Sequence, residues 1–444
     1  MKKTIYIIIL IISLILCSCT QDEEVLISDN PSNAFINNSN DNSEISEQIE
    51  EIENENTPNT PDTAYNSERS TYKNRYLKNS VYEEIIEDSY RNSYYFIAGE
   101  MLKGSIGEDN ILLSPFSLYL SLSFLANMSS GETLSEFEAL MGMPINELRE
   151  YSKYLIEQQL DWNESKTLVA YSLWLNSLYG LEPQSSFLEN NELYFGADIF
   201  NVDFSYNTIG DMNEWAEEKT EGIIKKIIND LPYNAVAIII NTLYFEAHWQ
   251  GDYETFNCYF NNYNGSLAEK SFFNGKAYGY YASETAKAFQ IGLNDNYYFV
   301  GVLPNENNID EYLENFDGEE IYALLNNYIT GYDVYWRIPE FKYDYSEDLE
   351  NIIKNMSITK AFQSDADFSA LTGKANGLFI NKISQKTSIT LDKEGVSAAA
   401  ATIISCGSAF PKEPYYLYLD RPFVYMIVDG RTDVPLFIGT VRNL

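Results

Sequence analysis

Residues 389–429 read ITLDKEGVSAAAATIISCGSAFPKEPYYLYLDRPFVYMIVD. Branched and aromatic residues at the two ends mark strands, one over Thr387–Leu391 and one starting near Tyr415. Between them lie Gly395 and a run of small residues. Alanine is the best helix former, so a surface helix or a flexible loop is the plain reading of that run. Taken as a strand, it has a different logic. One face carries Val396, Ala398, Ala400, Thr402, Ile404 and Cys406, and the other Ser397, Ala399, Ala401, Ile403, Ser405 and Gly407. The first face is almost wholly apolar and uncharged. A peptide that must slip between two existing strands needs this composition, because bulk clashes on entry and a buried charge is heavily penalised. Gly395 supplies the pivot at which the segment folds back on the preceding strand. From Gly395 to Ala409 an extended chain spans about 50 Å, long enough to cross a sheet.

Outward from this segment the chain is dense in apolar patterns. Ala235–Phe245, AVAIIINTLYF, is a branched and aromatic run typical of a strand buried on both faces, as are Tyr297–Leu303 and Phe423–Val428. Helix-period stretches come earlier, over Val81–Leu102 and Phe116–Asn127, the latter just after Ser114 and Pro115 as a helix start requires. Helices early and strands late predict an α+β domain with a large sheet. No second linker interrupts the pattern, so Asn79–Leu444 reads as one domain.

Several blocks, in order, make the chain resemble the serpin family, and the resemblance covers essentially Asn79–Leu444. Lys393–Thr402 is similar to the serpin hinge, in which acidic residues, a glycine and an alanine run precede the reactive loop. Leu417–Asp429, LYLDRPFVYMIVD, resembles the family's C-terminal signature. NILLSPFSL (Asn110–Leu118), NEWAEEKTEGIIKKII with INTLYFEAHWQG (Asn213–Gly251) and SITKAFQSDADFSAL (Ser357–Leu371) are similar to the buried helix, the strand flanking the insertion gap and the segment before the hinge strand. Each block alone is weak; their shared order is specific.

The resemblance implies a serpin fold of three β-sheets and eight or nine helices with an exposed reactive-centre loop. It also implies a mechanism without a catalytic residue on the inhibitor. A protease attacks the loop, forms an acyl-enzyme, and is carried across the molecule as the freed hinge inserts into the largest sheet. Metastability of the uncleaved state drives this. Residue by residue, the hinge comprises Lys393, Glu394, Gly395, Val396, Ser397, Ala398, Ala399, Ala400, Ala401 and Thr402. Ser114, Ser117, Asn241 and Gln385 fall where the family has the polar gate of sheet opening, and Trp249 where it has an aromatic at the top of the sheet. There are departures. Gln385 stands where a histidine is common, though its amide still donates and accepts. Lys393 replaces a usual glutamate, with Glu394 next to the glycine instead, and Val396 replaces a common Thr or Ser.

In many members the scissile bond follows the fourteenth residue after the hinge glycine, which places it between Ala409 and Phe410. A small apolar residue before the bond suits an elastase-like protease with a restricted primary pocket. Loop length beyond the hinge varies, so Ser408, Phe410 and Cys406 stay open as bait residues, and Phe410 would make the target chymotrypsin-like. Cys406 reads as a small inward-facing residue after insertion, and a redox role is its alternative.

The 444 residues are 45% hydrophobic and 15% aromatic, which excludes disorder throughout. A net charge of -37 repels nucleic acid and heparin-like polyanions. One histidine and four cysteines leave no material for a Cys/His metal cluster or a His-based triad with a spare member, and no cofactor is expected. The N-terminus, MKKTIYIIILIISLILCSC, pairs two lysines with a short apolar run and a cysteine, the pattern of a lipoprotein signal peptide over residues 1–18 with acylation at Cys19. Cys17 fits less well, because Leu16 would occupy the small-residue position. Residues 19–78 are rich in Asn, Ser, Glu, Asp and Thr and read as a disordered acidic tether with a reach of roughly 40 Å. The sequence expectation is an extracytoplasmic monomer, lipid-anchored to a bacterial cell envelope, that inhibits serine proteases. The first alternative is a non-inhibitory serpin acting as a substrate or binding protein on the cell surface. The second, a solute-binding or hydrolytic lipoprotein, leaves the Gly-Val-Ser-Ala run unexplained.

Overall fold

The computed structural model describes residues 7–18, 88–160, 164–232, 235–305, 308–374, 377–393 and 413–444, the segment 7–18 and residues 88 and 89 through their backbone alone. Strand β1 (Ile7–Ser18) comes first. Helix α1 (Asp88–Gly104), the short strand β2 (Ile111–Leu113) and helices α2 (Pro115–Met128), α3 (Gly131–Met141) and α4 (Ile145–Glu157) follow. Strands β3 (Lys166–Asn176), β4 (Asp198–Val202) and β5 (Ala235–Glu246) alternate with helices α5 (Ser185–Asn190) and α6 (Tyr206–Lys219). After them come β6 (Thr255–Asn261), β7 (Leu267–Ala282), β8 (Ala286–Gly292) and β9 (Tyr297–Pro304). Helices α7 (Ile309–Glu314) and α8 (Gly318–Asn326) lead to β10 (Ile329–Pro339) and β11 (Phe341–Asp348). Helices α9 (Glu350–Asn355) and α10 (Ser369–Thr372) precede β12 (Leu378–Leu391), and β13 (Tyr415–Tyr418), β14 (Phe423–Asp429) and β15 (Val434–Val441) close the chain.

These strands build three sheets. The largest runs β11-β12-β1-β5-β3-β4. Long strand β7 joins the other two: it pairs with β6 and β10 along most of its length and with β8 at Tyr281 and Ala282. From β8 the order continues β9-β14-β15-β2, and β13 flanks β10 in parallel. The three sheets and mixed α+β content match the sequence expectation, with ten α-helical segments among the described residues, four of them six residues or shorter.

Strand β5 explains why its sequence lacks polar alternation. Val236, Ala237, Ile239, Leu243 and Phe245 belong to the main core behind the sheet, while Ile238 and Ile240 pack into a separate cluster in front. The front cluster is the underside of α6, with Met212, Trp215 and Ala216 against Trp174 and the two isoleucines. Behind the sheet, every residue of α2 is buried, its start set by Ser114, whose hydroxyl accepts the Ser117 N–H, and by Pro115. Helix α1 meets the start of α8 backbone to backbone: a Cβ on Gly99 would stand 2.9 Å from Asp317, and one on Gly318 2.9 Å from Phe96. The glycine pair is what lets these elements touch.

The apolar run read as a leader is a strand in the full chain. β1 lies between β5 and β12 and is antiparallel to both. Residues 19–87, which include Cys19 and the whole of the expected tether, lie outside the described residues.

Candidate functional site

β5 and β12 form the walls of a lane in the largest sheet, and β1 occupies it. Ile12 is in register with Asn241 on one wall and with Gln385 on the other, so these two polar residues face each other at one level across the lane. With neighbouring strands about 4.8 Å apart, walls separated by a single strand stand about 10 Å apart. The lane holds a strand of twelve residues.

Helix α2 is tied to both walls from behind. On β12, the Gln385 Nε2 donates to the Ser114 carbonyl at 3.1 Å while its Oε1 accepts the Ser114 N–H at 2.9 Å. On β5, the Asn241 Nδ2 donates to the Ser117 carbonyl at 3.2 Å and to the Ser121 Oγ at 3.3 Å. Thr387, two residues beyond Gln385 on the same face of β12, donates to the Leu112 carbonyl at 2.6 Å. All of these side chains are buried. Among the described residues, the Ser117 Oγ and the Asn241 Oδ1 have no hydrogen bond of ordinary geometry. Tyr171 stands opposite Asn241 on β3. Burial pushes its phenol well above the ordinary value, against the opposing influence of the Asn241 side chain, so it is a neutral group in this cluster.

The top of the lane is fastened separately. Buried Trp249 donates its indole N–H to the Asp392 carbonyl at 2.8 Å, just past the end of β12. The Lys393 N–H donates to Glu340 Oε1 at 3.2 Å. The indole is wedged among Tyr253, Phe273 and Phe299 at ring distances of 6.3, 5.6 and 5.8 Å. In front, α6 is held down by Asp198 of β4, whose Oδ2 accepts the Trp215 indole N–H at 2.9 Å and pairs with Lys219 at 2.8 Å.

The structure thus brings Ser114, Ser117, Asn241 and Gln385 together behind the lane, and sets Trp249 apart at its top beside Lys393. Glu394, Gly395, Val396, Ser397, Ala398, Ala399, Ala400, Ala401 and Thr402, the bond between Ala409 and Phe410, and Cys406 lie outside the described residues. The chain leaves the top of β12 at Lys393 and returns at Glu413, entering β13 at Tyr415. Sequence reasoning passed over Ser121, Thr387, Glu340 and Asp392. Two of these carried a signal: Ser121 is one helical turn beyond Ser117, and Thr387 is on the Gln385 face of its strand.

Comparison with known proteins agrees with this geometry. A family model described as serpin (serine protease inhibitor) matches residues 95–444. An uncharacterised serpin-like protein of Thermococcus kodakarensis is 27% identical over 367 residues, spanning 79% of this chain and 84% of that protein. Neuroserpin of Mus musculus is 25% identical over 371 residues, spanning 77% of this chain and 88% of the relative. Among solved structures, the thermophilic serpin tengpin in its native state superposes with a TM-score of 0.71 at 31% identity, covering 80% of this chain and 94% of that one.

Proposed function

Because the chain belongs to the serpin family, we propose that it inhibits serine proteases as a suicide substrate, with the segment after β12 as bait and the lane between β5 and β12 as the place where the cleaved segment inserts. The observation that carries this reading is the strand in the lane. A segment that reverses direction after β12 must run antiparallel to it, and β1 already runs so, paired on both sides. Val396–Gly407 is as long as β1, twelve residues, and its side chains are all uncharged and, apart from Val396, Ile403 and Ile404, small. At about 1 kcal/mol net for each backbone hydrogen bond, a strand bonded on both edges releases on the order of 10 kcal/mol, enough to drive the transition.

The parts around the lane have roles in this reading. The ties of α2 to Gln385 and Asn241 hold the walls in place, and the Trp249 and Glu340 contacts fix the point from which the hinge swings. The Ser117 Oγ, with no hydrogen bond of ordinary geometry among the described residues, and the neutral Tyr171 phenol opposite Asn241 mark a cluster that can exchange partners as the walls move. The bait residue is Ala409 and the target class elastase-like. The protein is lipid-anchored through Cys19 after loss of residues 1–18, outside the cytoplasm and monomeric, and catalyses no reaction of its own. Mass spectrometry of the peptide released by a trapped protease tests the bait: a first residue of Phe410 supports it, and any other start moves the bond. Metabolic labelling with a radioactive fatty acid tests the anchor, and label retained in Cys19→Ala would refute it.

A further inference from the structure

The outer face of the sheet formed by β13, β10 and β7 is aromatic, and nothing in the lane mechanism uses it. Tyr416 is 60% exposed and stacks on Tyr335 of the neighbouring strand at 5.6 Å. Tyr418 lies beside Tyr416 at 5.9 Å, with the Arg337 guanidinium over its ring at 4.0 Å. On β7 the Lys276 ammonium sits 5.0 Å above the ring of Tyr278, which is 71% exposed, and 6.0 Å from Tyr335. Asp333 pairs with Lys276 at 2.9 Å. The inward side chains of the same strands, Val334, Trp336 and Leu417, are buried. The outward tyrosines are therefore not spill-over from the core; they alternate with it and form one continuous strip of rings and cations.

We propose that this strip is a second contact surface for the target protease, engaging the rim of the enzyme on the side that holds the loop residues after the scissile bond. The proposal rests on the inhibitor reading above and adds to it where the enzyme's body sits. Its first support is reach. Tyr416 is six residues beyond Phe410, so at most about 20 Å of chain separates it from the bond. A serine protease of about 240 residues has a radius of gyration near 18 Å, so an enzyme seated on that bond brings its surface to this sheet. Its second support is composition: tyrosine and arginine are the side chains that carry binding energy in protein contacts, because they desolvate a large area with few rotors to freeze. Its third is charge. On a chain of net charge -37, this strip sets Lys276 and Arg337 against Asp333, which favours a protease rim bearing carboxylates.

The test uses the processed chain from Cys19 and a panel of elastase-type and chymotrypsin-type proteases. The variant is Tyr278→Thr with Tyr416→Thr, a change that keeps strand propensity at two exposed sites. The readout is the second-order rate of loop cleavage, measured beside cleavage of a free peptide of residues 400–414. The expected result is a fall of at least tenfold in the rate on the protein, with the peptide rate unchanged and trapping per cleavage unchanged. Cleavage of the variant within twofold of the parent, with trapping intact, overturns the second contact and leaves the inhibitor reading standing. A parent loop that no protease of the panel cleaves sinks the inhibitor reading and the second contact with it. Tyrosine-dependent retention on cell-wall polysaccharide, with an unaltered protease rate, would give the strip to a glycan instead.

Discussion

Gln385→Leu removes one of the two ties between helix α2 and the lane while nearly conserving side-chain volume. Gln385 exchanges two hydrogen bonds with the backbone of Ser114, at 2.9 and 3.1 Å, and is buried. In the variant the Ser114 carbonyl keeps the Leu118 N–H, at 3.3 Å, but the buried Ser114 N–H loses its acceptor. An orphaned buried donor costs about 1–3 kcal/mol, so native-state destabilisation of about 2 kcal/mol is expected. If the tie is already broken when the walls part, the whole amount comes off the barrier to spontaneous loop insertion. At a factor of ten per 1.4 kcal/mol, conversion to an inactive, relaxed form then speeds up roughly 30-fold. The assay incubates parent and variant at 37 °C and follows residual inhibitory activity and the appearance of a heat-stable species. A variant that loses about 2 kcal/mol of native stability but converts at the parent rate would refute the argument, since Gln385 would then be a packing residue and not part of the gate.

Other consequences are open to direct measurement. Ala400→Arg places a charge on the inserting face, so cleavage should continue while the covalently trapped fraction falls at least tenfold, read from denaturing gels. Trp249→Phe deletes the bond to the Asp392 carbonyl with little loss of ring packing and should cost about 1 kcal/mol, seen as a lower denaturant midpoint together with faster conversion. Asp198→Ala frees α6 from two contacts that hold it over the sheet; cleaved-loop insertion, followed by a fluorophore at the hinge, should accelerate severalfold. A chain that keeps residues 1–18 has its lane filled by β1 and should trap at least tenfold less protease than the chain that starts at Cys19.

Much of the scaffold was legible in the sequence for physical reasons. Ala235–Phe245 is typical of a strand covered on both sides, and the structure supplies the two covers, α2 behind and α6 in front. Ser114 and Pro115 marked the start of α2, read as Phe116–Asn127 and found as Pro115–Met128 with Ser114 as its cap. Other features were hidden because they arise from tertiary contact. Glu340 sits at the junction of β10 and β11, and only the folded sheet brings it to Lys393. The run Ile7–Ser18 is short, branched and apolar, a pattern common to leaders and buried strands, so periodicity could not separate them. The tyrosine strip was invisible among 36 tyrosines until strand register set Tyr335 beside Tyr416.

If the loop after β12 is bait, its cleavage drives strand insertion. The most direct test mixes the processed chain with an elastase-type serine protease and boils the products in detergent. A covalent band at the summed mass of the two proteins is expected, with the inhibitor's melting temperature raised by tens of degrees once its loop has been cut. Complete cleavage with no such band and no gain in thermal stability would contradict it.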